Sequence, residues 1–195
     1  GILYNPIFHI LLIAIIGFMS YSNTFNVPFH FDDTPVIVEN PIVKNLRFFI
    51  EPSEAKVYSE HFQYPSFSMR YISYLTFALN YRVHGLDVTG YHFVNLFIHI
   101  INGLLVYLLI VLTFRTPFLH KSPHKDYSRL IAIFAALLFV CHPIQTQAVT
   151  YIWQRVTSLA TMFYLLSLVM YIKARLSTTD QRQETTDQRL KTEGI

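Results

Sequence analysis

The sequence predicts an all-α membrane protein of about four transmembrane helices, with a large, partly helical outer loop between the first and second. Three observations carry this. Of 195 residues, 52% are hydrophobic and only 14% charged, against about 25% charged in ordinary soluble domains. Uncharged apolar runs recur at membrane-spanning length, and mean hydropathy is +0.35. Finally, Lys and Arg gather in alternate connecting segments, as the positive-inside rule requires.

The first predicted span covers 2–20. No Asp, Glu, Lys or Arg occurs before Asp32, and neither a basic leader nor an A-x-A site marks a signal peptide, so the helix is read as retained. The loop 21–90 follows, rich in Phe, Tyr, Ile and Val. Within it, "SFSMRYISYLTFALNYR" (66–82) predicts an amphipathic, Tyr-lined helix at the interface. "TPVIVENP" (34–41), β-branched and bounded by prolines, predicts extended or turn structure.

The second span, 91–114, lies in a stretch without a charged side chain. The third, 130–152, is interrupted by Pro143. Residues 130–141 alone reach only ~18 Å, so the helix either continues, kinked, through His142-Pro143 or stops and re-enters. The fourth covers 156–173. Residues 1–175 thus form one membrane domain. The remainder, 176–195, holds a polar repeat, "TTDQRQE" then "TTDQRLK", with no apolar heptad seam, and predicts a disordered cytoplasmic tail or linker.

Orientation follows from the charges. "RTPFLHKSPHKDYSR" carries Arg115, Lys121, Lys125 and Arg129 against Asp126, and the tail adds further bases. The ends after spans two and four are therefore cytoplasmic, and the loop 21–90 faces outward. A net charge of +3, scattered along the chain, gives no nucleic-acid footprint. The single Cys141 excludes an intrachain disulfide. Phosphate loops, G-x-S-x-G, HExxH and CxxC are all absent.

Three groups of residues are candidates for chemistry. Asp32 and Asp33, adjacent in "FHFDDTPVIVENP", either cap a turn or serve as acids at the membrane surface. In the second case mutual repulsion and desolvation raise a pKa toward that of a general base; the pair is also a candidate divalent-metal site. On the second span, His92, Asn95, His99 and Asn102 fall within a sector of about 80°. A stripe that narrow faces protein or water rather than lipid, either bonding to neighbouring helices or supporting a polar cavity, with only His92 near enough the outer end to join the acidic pair. His142 and Gln145, around Pro143, belong to the same cavity. Arg155 and Arg70 are candidates to clamp a phosphate; alternatively Arg155 marks the membrane boundary.

Taken in order, "VPFHFDDTPVIVENP", "RYISYLTFALNYRVHGLDVTGYHFVNLFIHIINGLLVY" and "LLFVCHPIQTQAVTYIWQRVTSLATMFYLLSLVMYIKAR" resemble the membrane portion of the transmembrane and tetratricopeptide-repeat proteins. These are the O-mannosyltransferase-like branch of the GT-C glycosyltransferases, and the likeness is to their bacterial-type relatives in particular. The resemblance implies transfer of a sugar from a polyprenyl-phosphate carrier to an acceptor hydroxyl, on protein or glycan, at the outer or lumenal face. Asp32 and Asp33 match the family's acidic motif, and the implied partners are membrane lipid and lipid-linked sugar. It implies a multi-pass protein, of a bacterial inner membrane rather than the endoplasmic reticulum, with a divalent cation as a possible cofactor. Two departures stand out: Gln147 occupies a position where animal members tend to carry Glu, and no 34-residue repeat is present. The chain is thus expected to be an N-terminal part of such an enzyme, the alternative being a non-catalytic anchor or docking module.

Overall fold

The computed structural model describes residues 5–61 and 63–192, with side chains to residue 178. It is helical, with no strand among the described residues. Helix α1 (Pro6–Ser20) opens on Asn5, whose side chain accepts from the Ile7 N–H, with Pro6 at the first position, where a missing N–H costs nothing. At 15 residues it reaches about 22 Å. The first predicted span starts at Ile2, and 2–4 lie outside the described residues.

The segment between α1 and residue 88 is built of short pieces: α2 (Arg47–Ile50), α3 (Tyr64–Met69) and α4 (Tyr71–His84). The predicted interfacial helix is therefore two helices, broken at Arg70, whose φ of −122° and ψ of 36° are not helical. Val36, Ile37, Ile42, Phe67, Tyr74 and Phe77 share one buried cluster, which gives the loop a core of its own. Of the extended or turn structure expected of "TPVIV", the structure takes a helical turn and not the extended form. Thr34–Val38 is a π-helical turn, closed by the Glu39 N–H donating to the Thr34 carbonyl at 2.9 Å. Burial of Val36 and Ile37 outweighs the local β preference.

Gly85, at φ 59°, ends α4, and Asp87 caps α5 (Val88–Thr113) by accepting from the Thr89 N–H at 3.0 Å. Helix α6 (Ser128–Cys141) stops at His142-Pro143, where the residue before proline is driven to extended backbone (φ −65°, ψ 129°). The chain resumes as α7 (Thr146–Thr150), bent 49° from α6, breaks again at Tyr151 (φ −80°, ψ 113°), and enters α8 (Arg155–Thr192). Helix α5 is the hub, packing against α1, α6, α7 and α8.

Val88–Thr113 and Ile152–Thr178 are each long and apolar enough to cross a membrane, and the α6–α7 pair makes a third if taken as one bent span. Helix α8 runs on to Thr192, through the segment whose polarity predicts a disordered tail. Gln, Arg, Glu and Lys propagate a helix that is already nucleated.

Candidate functional site

The acidic pair lies where two irregular segments meet. Phe31 takes φ 51°, a left-handed conformation uncommon outside glycine, and the π-helical turn begins just beyond it. Neighbours in sequence then part company: Asp32 is exposed, while Asp33 has 0% of its surface exposed. Opposite stands the break between α7 and α8. There the Trp153 N–H donates to Asp33 Oδ1 at 2.8 Å, and the His30 N–H donates to Asp33 Oδ2 at 3.2 Å. Asp33 thus closes its own turn and ties it to the start of α8.

Burial pushes the Asp33 carboxyl above the usual carboxylate range, because the charged form loses its hydration. The N–H groups of His30 and Trp153 oppose that shift, and the neighbouring charge of Asp32 adds to it.

Asp32 is held differently. The Tyr151 hydroxyl donates to Asp32 Oδ2 at 3.0 Å and accepts the Asp32 N–H, also at 3.0 Å. The His30 ring stacks on Tyr151 (6.1 Å between centroids, 16° between planes). Tyr151, Trp153 and His30 were not singled out by the sequence reasoning. One of thirteen tyrosines carries no signal until its partner, 119 positions away, is known.

Arg70 joins this group through Trp153. Its guanidinium lies 5.6 Å from the centroid of the Trp153 ring, and Nη1 donates to Ser66 Oγ at 3.3 Å. The break between α3 and α4 leaves it exposed. An oriented, exposed carboxylate and an exposed cation therefore flank the same 151–153 segment. Such a pair has the elements of a proton acceptor and an anion stabiliser.

Arg155 does not share that surface, which corrects its expected place beside Arg70. It is completely buried, with Nε donating to Asn95 Oδ1 at 2.7 Å and Nη2 to the Tyr91 carbonyl at 3.0 Å. Nη1 donates to Thr76 at its carbonyl (3.3 Å) and its hydroxyl (3.4 Å). The guanidinium also lies 4.5 Å from the Phe77 centroid. The planar fork joins α4, α5 and α8, a task for which five fixed donors suit Arg and no other residue. With its donors engaged on protein, it is a positioning residue.

The stripe on α5 faces protein as its narrow sector requires: His92, Asn95, His99 and Asn102 are all buried. Their partners are backbone carbonyls, those of Val140, Val149 and Ile152 at the breaks, that of Val27 in the loop after α1 and that of Ser158 within α8. Asn95 Nδ2 donates to the carbonyls of Val149 (3.3 Å) and Ile152 (3.3 Å), and Asn102 Nδ2 to that of Ser158 (3.0 Å). His99 Nε2 bonds the Val140 carbonyl, at 3.1 Å, and His92 Nε2 that of Val27, at 2.8 Å. Irregular backbone at membrane depth needs such partners. His92 therefore anchors the segment leading to the acidic pair without entering the site.

A cavity of about 90 Å³ is lined by His99, Asn102 and Gln145, among others, so three of the expected cavity residues meet there. His142 does not join them. It is exposed, and its Nδ1 accepts from the Ile144 N–H at 3.2 Å to start the turn after Pro143.

For a divalent cation the fit is limited. Among the described residues no three His, Cys, Asp or Glu side chains cluster, and both Asp33 oxygens already accept N–H groups. Of the pair, Asp32 is the exposed member, so the two acids offer a cation one carboxylate and not two.

Comparison with known proteins gives the following. A protein O-mannosyl-transferase of Caenorhabditis elegans is 31% identical over 172 residues, 86% of this chain and 23% of that protein. Protein O-mannosyl-transferase TMTC4 of Homo sapiens is 28% identical over 178 residues (87% and 23%), and tmtc2 of Xenopus laevis 31% over 168 residues (84% and 18%). The chain thus resembles the transmembrane and tetratricopeptide-repeat O-mannosyltransferases along most of its length, while spanning about a quarter or less of theirs. No family model matches the chain, and no solved structure does.

Proposed function

We propose that this chain is the N-terminal membrane portion of a GT-C glycosyltransferase that moves a sugar, mannose by analogy with its relatives, from a polyprenyl-phosphate carrier to a hydroxyl of a protein or glycan acceptor. The acceptor oxygen attacks the anomeric carbon, its proton passes to Asp32, and the bond to the carrier phosphate breaks with inversion. Arg70, exposed on its Trp153 shelf, stabilises the negative charge that develops on the departing phosphate. Any divalent cation would bind Asp32 together with that phosphate and supply further charge neutralisation. Asp33 is the positioning acid and Arg155 the buried pin.

The reading includes four spans: α1, α5, the bent α6–α7 pair and α8. It puts 21–90 on the outer or lumenal side of what is by this reading a bacterial inner membrane. The observation that carries it is the double hydrogen bond between Tyr151 and Asp32, which fixes the orientation of an exposed carboxylate within a segment resembling that of sugar transferases.

A second reading, a non-catalytic docking module, draws support from Asp33, whose two oxygens serve the backbone as those of a structural turn would. The two readings separate on mannosyl transfer by the full-length protein from polyprenyl-phosphate mannose. Asp32→Asn should abolish transfer while leaving membrane insertion intact, and Arg70→Ala should lower it by about a hundredfold. Undiminished transfer in Asp32→Asn removes the acid from the mechanism and leaves the docking reading.

A further inference from the structure

We propose that the basic end of the helix bundle holds the headgroup of an anionic, phosphate-bearing lipid in a cavity separate from the Asp32–Asp33 site. This cavity, of about 610 Å³, lies between the end of α5, the start of α6 and residues 173–177 of α8. Arg115, Lys125, Arg129 and Lys173 line it against a single acid, Asp126. These cations come from three separate stretches of chain, Lys125 and Arg129 sharing one, and the fold converges them on one hollow. Lys125 Nζ donates to His120 Nε2 at 3.0 Å, which fixes the ammonium and leaves its remaining donors for a ligand.

The acidic site stands at the opposite end of α5. That helix has 26 residues, about 39 Å of rise, with Tyr91 and Asn95 near the acidic pair and Val111 at the basic cavity. The cavity therefore has no part in the transfer chemistry, and the proposal stands independently of it.

Two features select a lipid over free phosphate. Val111, Leu112, Phe114 and Leu176 supply an apolar wall beside the cations, a surface suited to glycerol and acyl carbons and of no use to a soluble anion. The site also sits where the uncharged apolar stretches of α5 and α8 give way to charge, at Arg115 and at Lys173 and Arg175, as they do at the depth where lipid phosphates lie. Multiple Lys and Arg at that depth attract anionic lipids, each contributing a separate increment, and guanidinium groups bind phosphate bidentately.

The test uses the full chain in neutral detergent, titrated with phosphatidylglycerol, phosphatidylcholine or inorganic phosphate and followed by native mass spectrometry and unfolding temperature. Phosphatidylglycerol should bind and stabilise where phosphatidylcholine does not. Combining Arg115→Gln, Lys125→Gln and Lys173→Gln should weaken it by at least about tenfold. A control with Lys121→Gln and Arg175→Gln, which removes charge at the same end but outside the cavity lining, should stay within about twofold of the parent. All three lining positions substituted are exposed; should the triple variant fail to fold, Lys173→Glu alone gives the same direction. Unchanged binding in the cavity variants, or equal loss in the control, overturns the site. Equal stabilisation by inorganic phosphate overturns the lipid.

Discussion

Tyr151 grips Asp32 at two points, its hydroxyl donating to Oδ2 and accepting the backbone N–H, each at 3.0 Å. One phenol thus fixes both the position and the rotamer of the exposed acid. If Asp32 accepts a proton, Tyr151 sets the direction from which it does so.

Replacing Tyr151 by Phe keeps the ring against His30 and removes both bonds. Sugar transfer by the full-length protein should fall about tenfold to a hundredfold, in kcat rather than KM, because a misdirected base slows the chemical step. Stability should change by no more than about 1 kcal/mol, since an exposed acid is readily rehydrated. Parallel measurement of kcat, KM and unfolding temperature checks this. A loss confined to KM assigns Tyr151 to substrate binding instead.

Asp33 predicts a pH dependence with a definite sign. Its carboxyl is raised in the folded state, so the folded protein holds that proton more tightly than the unfolded chain. The contribution to stability is complete below the unfolded value, about 4, and is lost as pH rises through the higher folded value. Asp33→Asn removes this step at the cost of one acceptor, a nearly constant offset. From about pH 4 to pH 7, the unfolding temperature of the variant should therefore gain on that of the parent. A gap that does not vary with pH would falsify the burial assigned to this carboxyl.

Arg155 predicts the largest single loss of stability. Truncation to Ala leaves Asn95 Oδ1 and the carbonyls of Tyr91 and Thr76 without their donor, at a cost of about 3–5 kcal/mol. Arg155→Lys keeps the charge but cannot reproduce a fork that reaches three residues on two helices, and should still cost about 2 kcal/mol or more. Unfolding in detergent compares the two, and a Lys variant as stable as the parent would show that charge, not geometry, is what the site requires.

These residues also mark how far the sequence could be read. The stripe on α5 was legible because its helical spacing is local and its polarity is costly in lipid, so it had to face protein. The break at Pro143 was legible for a similar reason, since proline dictates the backbone of its neighbour. The burial of Arg155 was not legible: an arginine at the end of an apolar run looks like a boundary marker until acceptors 60 and 79 positions earlier are brought to it. Nor was the π-helical turn at Thr34, where a tertiary cluster overrules what the β-branched residues prefer alone. The same holds for Arg70, whose exposure depends on a helix break that nothing in the composition of 64–84 announces.

Val140 on α6 is wedged between two glycines, and this predicts a coupled pair. A Cβ added at Gly103 of α5 would clash with Val140 Cγ2, and one added at Gly17 of α1 would lie 2.9 Å from Val140 Cγ1. Three helices thus meet at one branched side chain because two of them carry no side chain there, the close approach that small residues permit in membrane bundles. Gly103→Ala should cost about 1–3 kcal/mol through overpacking, despite the higher helix propensity of alanine. Val140→Ala alone should also cost stability, by opening a void. Combined, the two changes put one methyl where the other was removed, so the double variant should be more stable than the sum of the single losses by about 0.5–3 kcal/mol. Simple additivity in the unfolding free energies would mean that α5 and α6 do not close on each other at Gly103 and Val140.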